Sequence, residues 1–143
     1  MRRALPLILA VAASACAGHA AAAPSGAVRS CGSLTVGPTA LKTGSSGPGA
    51  TCLLANFAHC LPATYSLSMF GVDTIRRSLF TIAPRAGACS VTVTQSFRVV
   101  PRPAKQSGQG KCAAIVRSHG DIVAKGCHGA GLASTMSLLG RTV

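Results

Sequence analysis

The alternation of apolar and polar residues predicts most of the strands in this chain. Residues 64–69 and 91–99 alternate apolar with polar side chains, which is typical of a strand with one buried and one solvent-facing side. Residues 75–83 predict a further strand with a less regular pattern. Shorter strands are predicted at residues 31–36, 113–117 and 122–125, and a last helical turn or an edge strand at residues 129–140.

A single helix is predicted at residues 50–60. Leu53, Phe57 and Leu61 recur every four residues and therefore lie on one face of a helix. Pro62 ends this segment, because a proline disfavours helical geometry at the residue before it.

The order of these elements predicts an α+β fold, in which one helix packs on a curled antiparallel sheet of about five or six strands. Segments rich in glycine, serine and proline separate the elements. They predict a loop at residues 37–49, a turn at residues 84–88 and a long, basic, exposed loop at residues 101–111.

The N-terminal segment has the three parts of a secretory signal peptide. Arg2 and Arg3 form a positive start, residues 5–15 are apolar, and residues 18–22 offer small side chains for cleavage. The apolar run is shorter than the roughly 20 residues that span a bilayer, so no transmembrane span is predicted. We expect a signal peptide at residues 1–22, a flexible tether at residues 23–30 and a single disulfide-rich domain at residues 31–143.

Cys16 allows a second interpretation of the same segment. It follows Ala13, Ser14 and Ala15, and this sequence resembles the site at which a bacterial lipoprotein signal ends and its cysteine is lipidated. The leucine that is usual three residues before such a cysteine is Ala13 here. We therefore favour a secreted protein, with lipid anchoring to the membrane through Cys16 as the alternative.

The remaining six cysteines predict three disulfide bonds, because an exported protein meets an oxidising environment. These cysteines are Cys31, Cys52, Cys60, Cys89, Cys112 and Cys127. A two-residue turn at His119 and Gly120 places Cys112 opposite Cys127 across a hairpin. Gly120 tolerates the positive φ that a type I′ turn needs, so we favour a Cys112–Cys127 bond.

The predicted helix restricts how the other four cysteines pair. Cys52 and Cys60 lie about 12 Å apart along a straight helix, whereas a disulfide needs Cα atoms within about 7 Å of each other. One of them is therefore expected to bond Cys31 and the other Cys89. The sequence leaves both assignments open.

The charge balance is strongly positive. The formal net charge is +12, and Asp73 and Asp121 are the only acidic residues. Such a chain is attracted to anionic cell-wall or membrane surfaces, although an ordinary solvated face has the same composition. The basic residues expected to make that contact are Arg76, Arg77, Arg98, Arg102, Lys105 and Lys111. Nucleic acid is not an expected partner, because the chain is exported and aromatic residues make up only 3% of it.

Candidate catalytic groups are few. The chain has no Glu, and both Asp73 and Asp121 flank predicted turns. Ser118, His119 and Asp121 have the residue types of a hydrolase triad, but neighbours in one tight loop point apart rather than converge. The two His–Cys neighbour pairs lack the spacing of zinc ligands. We therefore expect no enzymatic activity, no metal site and no cofactor.

The sequence thus favours a non-enzymatic binding or structural module of the bacterial cell envelope or medium. The alternative is a secreted protease inhibitor, in which Arg85 lies in a proline- and glycine-containing turn beside Cys89 and contacts the protease. A loop held by a disulfide loses little entropy on binding, which suits that role.

Overall fold

The computed structural model describes residues 27–37, 47–85 and 88–141. The predicted signal peptide, Cys16 and the first half of the predicted tether lie outside these residues. Within the described part, the chain forms one α-helix and nine β-strands. In chain order they are β1 (Arg29–Val36), α1 (Pro48–Ala58), β2 (Ala63–Phe70), β3 (Thr74–Arg85), β4 (Ala88–Val99), β5 (Lys105–Cys112), β6 (Ala114–Ser118), β7 (Asp121–Lys125), β8 (His128–Ala130) and β9 (Thr135–Ser137).

These strands form two sheets. The larger sheet has the order β1-β2-β3-β4-β5-β8, and the smaller sheet has the order β6-β7-β9. The predicted α+β fold, with one helix and a sheet of six strands, is confirmed. The second sheet is an addition to the prediction, which placed all strands in one layer.

The larger sheet is mixed rather than wholly antiparallel. β1 and β2 run parallel, with Leu34 opposite Leu67 and Val36 opposite Met69. This pair differs from the expected arrangement because α1 connects the two strands, and a helical crossover returns the chain in the same direction. β1 also begins at Arg29, so the last two residues of the predicted tether belong to the sheet.

The hydrophobic core is enclosed by α1, the inner face of the larger sheet and the smaller sheet with the segment that follows it. Two rows of side chains cross this face: Ala63, Ile82 and Val91 in one row, and Tyr65, Phe80 and Val93 in the next. All six are at most 1% exposed. Leu53 of α1 is fully buried in the same cluster. The alternation seen in the sequence therefore separates a core face from a solvent face.

Helix α1 begins and ends two residues earlier than predicted. Pro48 is tolerated in the first turn, where the backbone needs no N–H donor. The helix ends at Ala58, and Cys60 takes a left-handed conformation with a φ of 50°. The N–H of Leu61 then donates to the carbonyl oxygen of Asn56 at 2.9 Å, which closes the helix.

Gly49 allows the helix to lie close to the sheet. A Cβ atom at this position would lie 2.7 Å from the carbonyl oxygen of Cys31 and 2.7 Å from Cε2 of Tyr65. Neither neighbour has room to move, because one is backbone and the other is a core ring. The close approach also brings Cys52 within bonding distance of Cys31.

Three disulfide bonds join the elements, as the cysteine count predicts. They link Cys31 with Cys52, Cys60 with Cys89, and Cys112 with Cys127. Both cysteines of the helical region bond outside the helix. The structure also assigns the pairing that the sequence leaves open. Cys52, within α1, bonds Cys31 of β1, and Cys60, two residues past the end of α1, bonds Cys89 of β4.

The β6–β7 hairpin has the register from which the Cys112–Cys127 bond was predicted. φ is 50° at His119 and 76° at Gly120, as in a type I′ turn. The Cα atoms of Cys112 and Cys127 lie 3.8 Å apart at the open end of this hairpin.

The exposed loop predicted at residues 101–111 is largely a strand. β5 pairs with β4 on one side and with β8 on the other. Glycine explains the difference, because a Cβ atom at Gly110 would overlap the carbonyl oxygen of His128 and block the approach of β8. β8 and β9 are edge strands of their sheets, so the predicted alternative of a C-terminal helical turn is wrong.

Candidate functional site

Basic residues gather at one end of the larger sheet. In the strand register Arg76 lies opposite Phe97, which in turn lies opposite Lys105. Arg77 and Arg98 are the next positions on β3 and β4. Successive strand residues alternate between the two faces of a sheet, so Arg76 and Lys105 lie on one face of this end and Arg77 and Arg98 on the other.

Arg102 joins this group from the connection between β4 and β5. We call this end of the sheet the tip and define it as residues 70–77 and 97–105. The N–H of Val100 donates to the carbonyl oxygen of Asp73 at 2.8 Å, so the two loops of the tip are bonded to each other. The tip therefore holds five of the six basic residues that the sequence predicts as a binding surface.

Lys111 is the predicted residue that does not belong to the tip. It lies opposite Thr92 on β4 and His128 on β8. Six residues of β5 separate it from Lys105, a distance of about 20 Å along a strand.

The tip also carries exposed apolar side chains, which the sequence analysis missed. Val72 is fully exposed, and Phe70, Val99 and Val100 are 40%, 37% and 49% exposed. These four are the majority of the seven large apolar side chains that are exposed in the described residues. Val72 follows Gly71 in the turn between β2 and β3. This turn is visible in the sequence and is the signal from which the exposure of Val72 is predictable. Clustered exposed apolar groups are typical of an interaction site.

The charge of the tip is strongly positive. Its five basic side chains are all exposed, and Asp73 is its one acidic residue. The other acidic residue of the chain, Asp121, is only 5% exposed and lies in the smaller sheet. Little negative charge is therefore present to offset the field of the tip.

A groove of about 200 Å³ lies within the tip. Its walls combine apolar and basic side chains, namely Phe97, Val99 and Pro103 with Arg98, Arg102 and Lys105. The groove has the chemistry to hold an anionic group beside an apolar one.

Asp121 has a structural environment. Its carboxylate accepts hydrogen bonds from the N–H of Ile122 at 2.6 Å and from the hydroxyl of Ser137 at 2.7 Å. Oγ of Ser137 in turn accepts the N–H groups of Leu139 and Arg141, each at 3.0 Å. This network attaches the C-terminal segment to β7.

Tyr65 extends the same network into the core. Its hydroxyl donates to the carbonyl oxygen of Leu138 at 2.8 Å. Burial, and secondarily the negative charge of Asp121, raise the pKa of Tyr65 to about 12. The phenol is therefore neutral under ordinary conditions and serves as a donor.

The three residue types of a hydrolase triad have different surroundings. Oγ of Ser118 and Nδ1 of His119 lie 3.2 Å apart at the surface. The carboxylate oxygens of Asp121 are instead bonded to Ile122 and Ser137.

Arg85 lies at the far end of β3 from the tip. It is exposed, pairs with Ala88 across a hairpin, and borders a small cavity beside the Cys60–Cys89 bond. Nine residues of strand separate it from Arg76, a distance of about 30 Å. The two predicted binding sites are therefore at opposite ends of the molecule.

Comparison with known protein families, with curated proteins and with solved structures gave no match. The helix found in the described residues is too short to cross a membrane. In that same part of the chain, no three His, Cys, Asp or Glu side chains come together as a metal site requires. The tip is therefore the candidate functional site of the described residues.

Proposed function

We propose that this protein is a small, exported, non-enzymatic binding module of the bacterial cell envelope that contacts anionic surfaces through its tip. One observation carries this proposal. Two adjacent strand ends and the loop between β4 and β5 bring Arg98, Arg102 and Lys105 around one groove, next to Arg76 and Arg77.

The basic residues of the tip are close enough for their fields to overlap. By the strand register Arg76 and Lys105 lie on one face of the sheet and Arg77 and Arg98 on the other. Their backbone positions are within about 5–10 Å of each other, comparable with the Debye length of about 8 Å at physiological ionic strength. An anionic polymer or an anionic lipid layer therefore meets the summed field of the tip. Added salt weakens such an attraction because it shortens the Debye length.

The disulfide framework supports the proposed location of the protein outside the cytosol. Three disulfide bonds are compatible with an extracellular protein. The three bonds lie at the end of the larger sheet away from the tip, where Cys89 pairs with Pro84 and Cys112 with Val91.

The test compares two variants of equal net charge. The tip variant is Arg98→Gln/Arg102→Gln/Lys105→Gln, and the control is Arg85→Gln/Lys111→Gln/Lys125→Gln, whose three residues are exposed and lie outside the tip. Binding to anionic vesicles and to an anionic polymer is measured at about 50 and 500 mM salt.

We expect the tip variant to bind vesicles about 100-fold more weakly at low salt, because each cation near an anionic lipid surface contributes about 1 kcal/mol. The control should lose far less. Equal losses in the two variants would mean that net charge, and not the tip, governs binding. Binding that does not weaken with salt would contradict the proposal altogether.

The alternative is a secreted inhibitor of trypsin-like proteases with Arg85 as the contact residue. The exposure of Arg85 beside the Cys60–Cys89 bond favours it. The pairing of Arg85 with Ala88 opposes it, because backbone groups already bonded to a neighbouring strand are not free to pair with a protease. Full trypsin activity at micromolar protein, or inhibition that survives Arg85→Ala, would eliminate this candidate.

A further inference from the structure

We infer that the partner of the tip is a bilayer containing anionic phospholipid, into whose surface Val72, Val100 and Phe70 insert while the tip arginines bind the headgroups. This inference rests on the proposed function and narrows the anionic surface to a membrane. The observation behind it is that apolar and basic side chains are exposed at the same end of one sheet.

The apolar residues distinguish a bilayer from a polymer. Val72 is fully exposed in a turn, and Val100 is 49% exposed in the loop that is bonded to that turn. A hydrated wall polyanion offers no apolar phase to cover them. A bilayer offers charged headgroups and hydrocarbon within about 10 Å of each other, which matches the mixed character of the tip.

The backbone of the tip is suited to leaving water. Pro101 and Pro103 have no N–H group to satisfy. The N–H groups of Gly71, Val100 and Arg102 already donate to carbonyl oxygens within the tip, at 2.7–2.8 Å. Unpaired backbone donors are the main obstacle to burying a loop in lipid, and these bonds and prolines reduce their number.

The basic side chains are placed to stay at the headgroup level. Arg98 adjoins Val99 on β4, and Arg102 follows Val100 by two residues. Long arginine side chains keep their guanidinium groups at a polar boundary while their stems cover apolar surface. Val72 and Val100 therefore enter the boundary region while the guanidinium groups stay at the level of the headgroups.

A single tryptophan tests insertion directly, because the chain has none of its own. Val72→Trp and the control Leu79→Trp are compared; Leu79 is 43% exposed on β3, outside the tip. With vesicles of phosphatidylcholine and phosphatidylglycerol, we expect a blue shift and protection from an aqueous quencher for Val72→Trp only. Pure phosphatidylcholine vesicles should give neither effect.

A second pair of variants separates this inference from the proposed function. Val72→Ser/Val100→Ser should bind anionic vesicles about tenfold more weakly and bind soluble dextran sulfate unchanged, since only the vesicle has an apolar phase. The control Val28→Ser/Leu79→Ser removes two exposed apolar side chains outside the tip and should bind both as the parent does.

The outcomes are distinguishable. Vesicle binding that is salt-dependent but insensitive to Val72→Ser/Val100→Ser overturns the inference and leaves the proposed function standing. Binding to dextran sulfate without binding to vesicles has the same meaning. Failure to bind either ligand at low salt removes the proposed function and the inference together.

Discussion

The buried phenol of Tyr65 is expected to titrate late. Tyr65 is the single tyrosine of the chain, so phenolate absorbance in the near ultraviolet reports this side chain alone. Its hydroxyl is bonded to the carbonyl oxygen of Leu138, and its pKa is raised from 10.0 to about 12, first by burial and then by Asp121. The folded protein should therefore keep most of the phenol protonated at about pH 11, where a solvated tyrosine is ionised.

This titration is linked to the free energy of unfolding. Below pH 10 the phenol is protonated in both folded and unfolded chains, so its contribution to stability is complete. Between pH 10 and about 12 the unfolded chain releases the proton while the folded chain retains it, so stability falls with pH. Two pKa units correspond to about 2–3 kcal/mol, and the loss stops once the folded chain also ionises.

The assay is urea unfolding of the parent and of Tyr65→Phe across this pH range. At about pH 8 the variant should be about 1 kcal/mol less stable, because the carbonyl oxygen of Leu138 loses its donor. The two proteins differ only at residue 65, so the contributions of all other side chains cancel in the comparison. The difference should close near pH 11, since only the parent loses the Tyr65 contribution. A phenolate midpoint near 10 in the folded protein, or a stability difference that does not change with pH, would refute the reasoning.

Three further predictions test the glycine contact, the polar network and the charge of the tip. Gly110→Ala should destabilise the fold by about 1–3 kcal/mol in thermal or urea unfolding, because the new Cβ meets backbone atoms of β8; Gly37→Ala, whose Cβ meets nothing within 4 Å, is the control and should be nearly neutral. Ser137→Ala should cost about 1–3 kcal/mol, because the buried carboxylate of Asp121 and two N–H groups lose their partner; a loss below about 0.5 kcal/mol would show that water replaces the hydroxyl. Asp73→Asn should strengthen binding to anionic vesicles about fivefold at low salt, since it removes the one acidic residue of the tip; unchanged or weaker binding in co-sedimentation would contradict the charge argument.

Much of the fold is predictable because it depends on local patterns. The alternation in β2 and β4 defines the core face, and the His119–Gly120 turn defines the register that brings Cys112 and Cys127 together. The parallel pairing of β1 with β2 is not local, because it depends on where α1 returns the chain. The sequence does not predict β5 as a strand, for a related reason. Its glycines are typical of a loop in isolation and become strand residues only when β8 packs against them.

The candidate site is partly predictable for similar reasons. Exposed arginines and lysines are visible in the sequence because charged side chains rarely lie in a core. The sequence does not show that five of them lie close together, because their positions depend on how β3, β4 and β5 align. Lys111 lies at the other end of β5 from Lys105. The exposed apolar residues of the tip are not predicted from the sequence, because apolar side chains in a strand pattern are expected to be buried. Val99 continues the alternating pattern that buries Val91 and Val93 completely, yet it lies at the end of β4 and is 37% exposed.

The most direct test of the central claim is binding of the parent, the tip variant and its charge-matched control to anionic vesicles at low and high salt. The account predicts that the parent and the Arg85→Gln/Lys111→Gln/Lys125→Gln control bind at low salt and dissociate at high salt. It predicts that Arg98→Gln/Arg102→Gln/Lys105→Gln binds weakly at both. Equal binding by the two variants would contradict the claim that the tip is the contact surface.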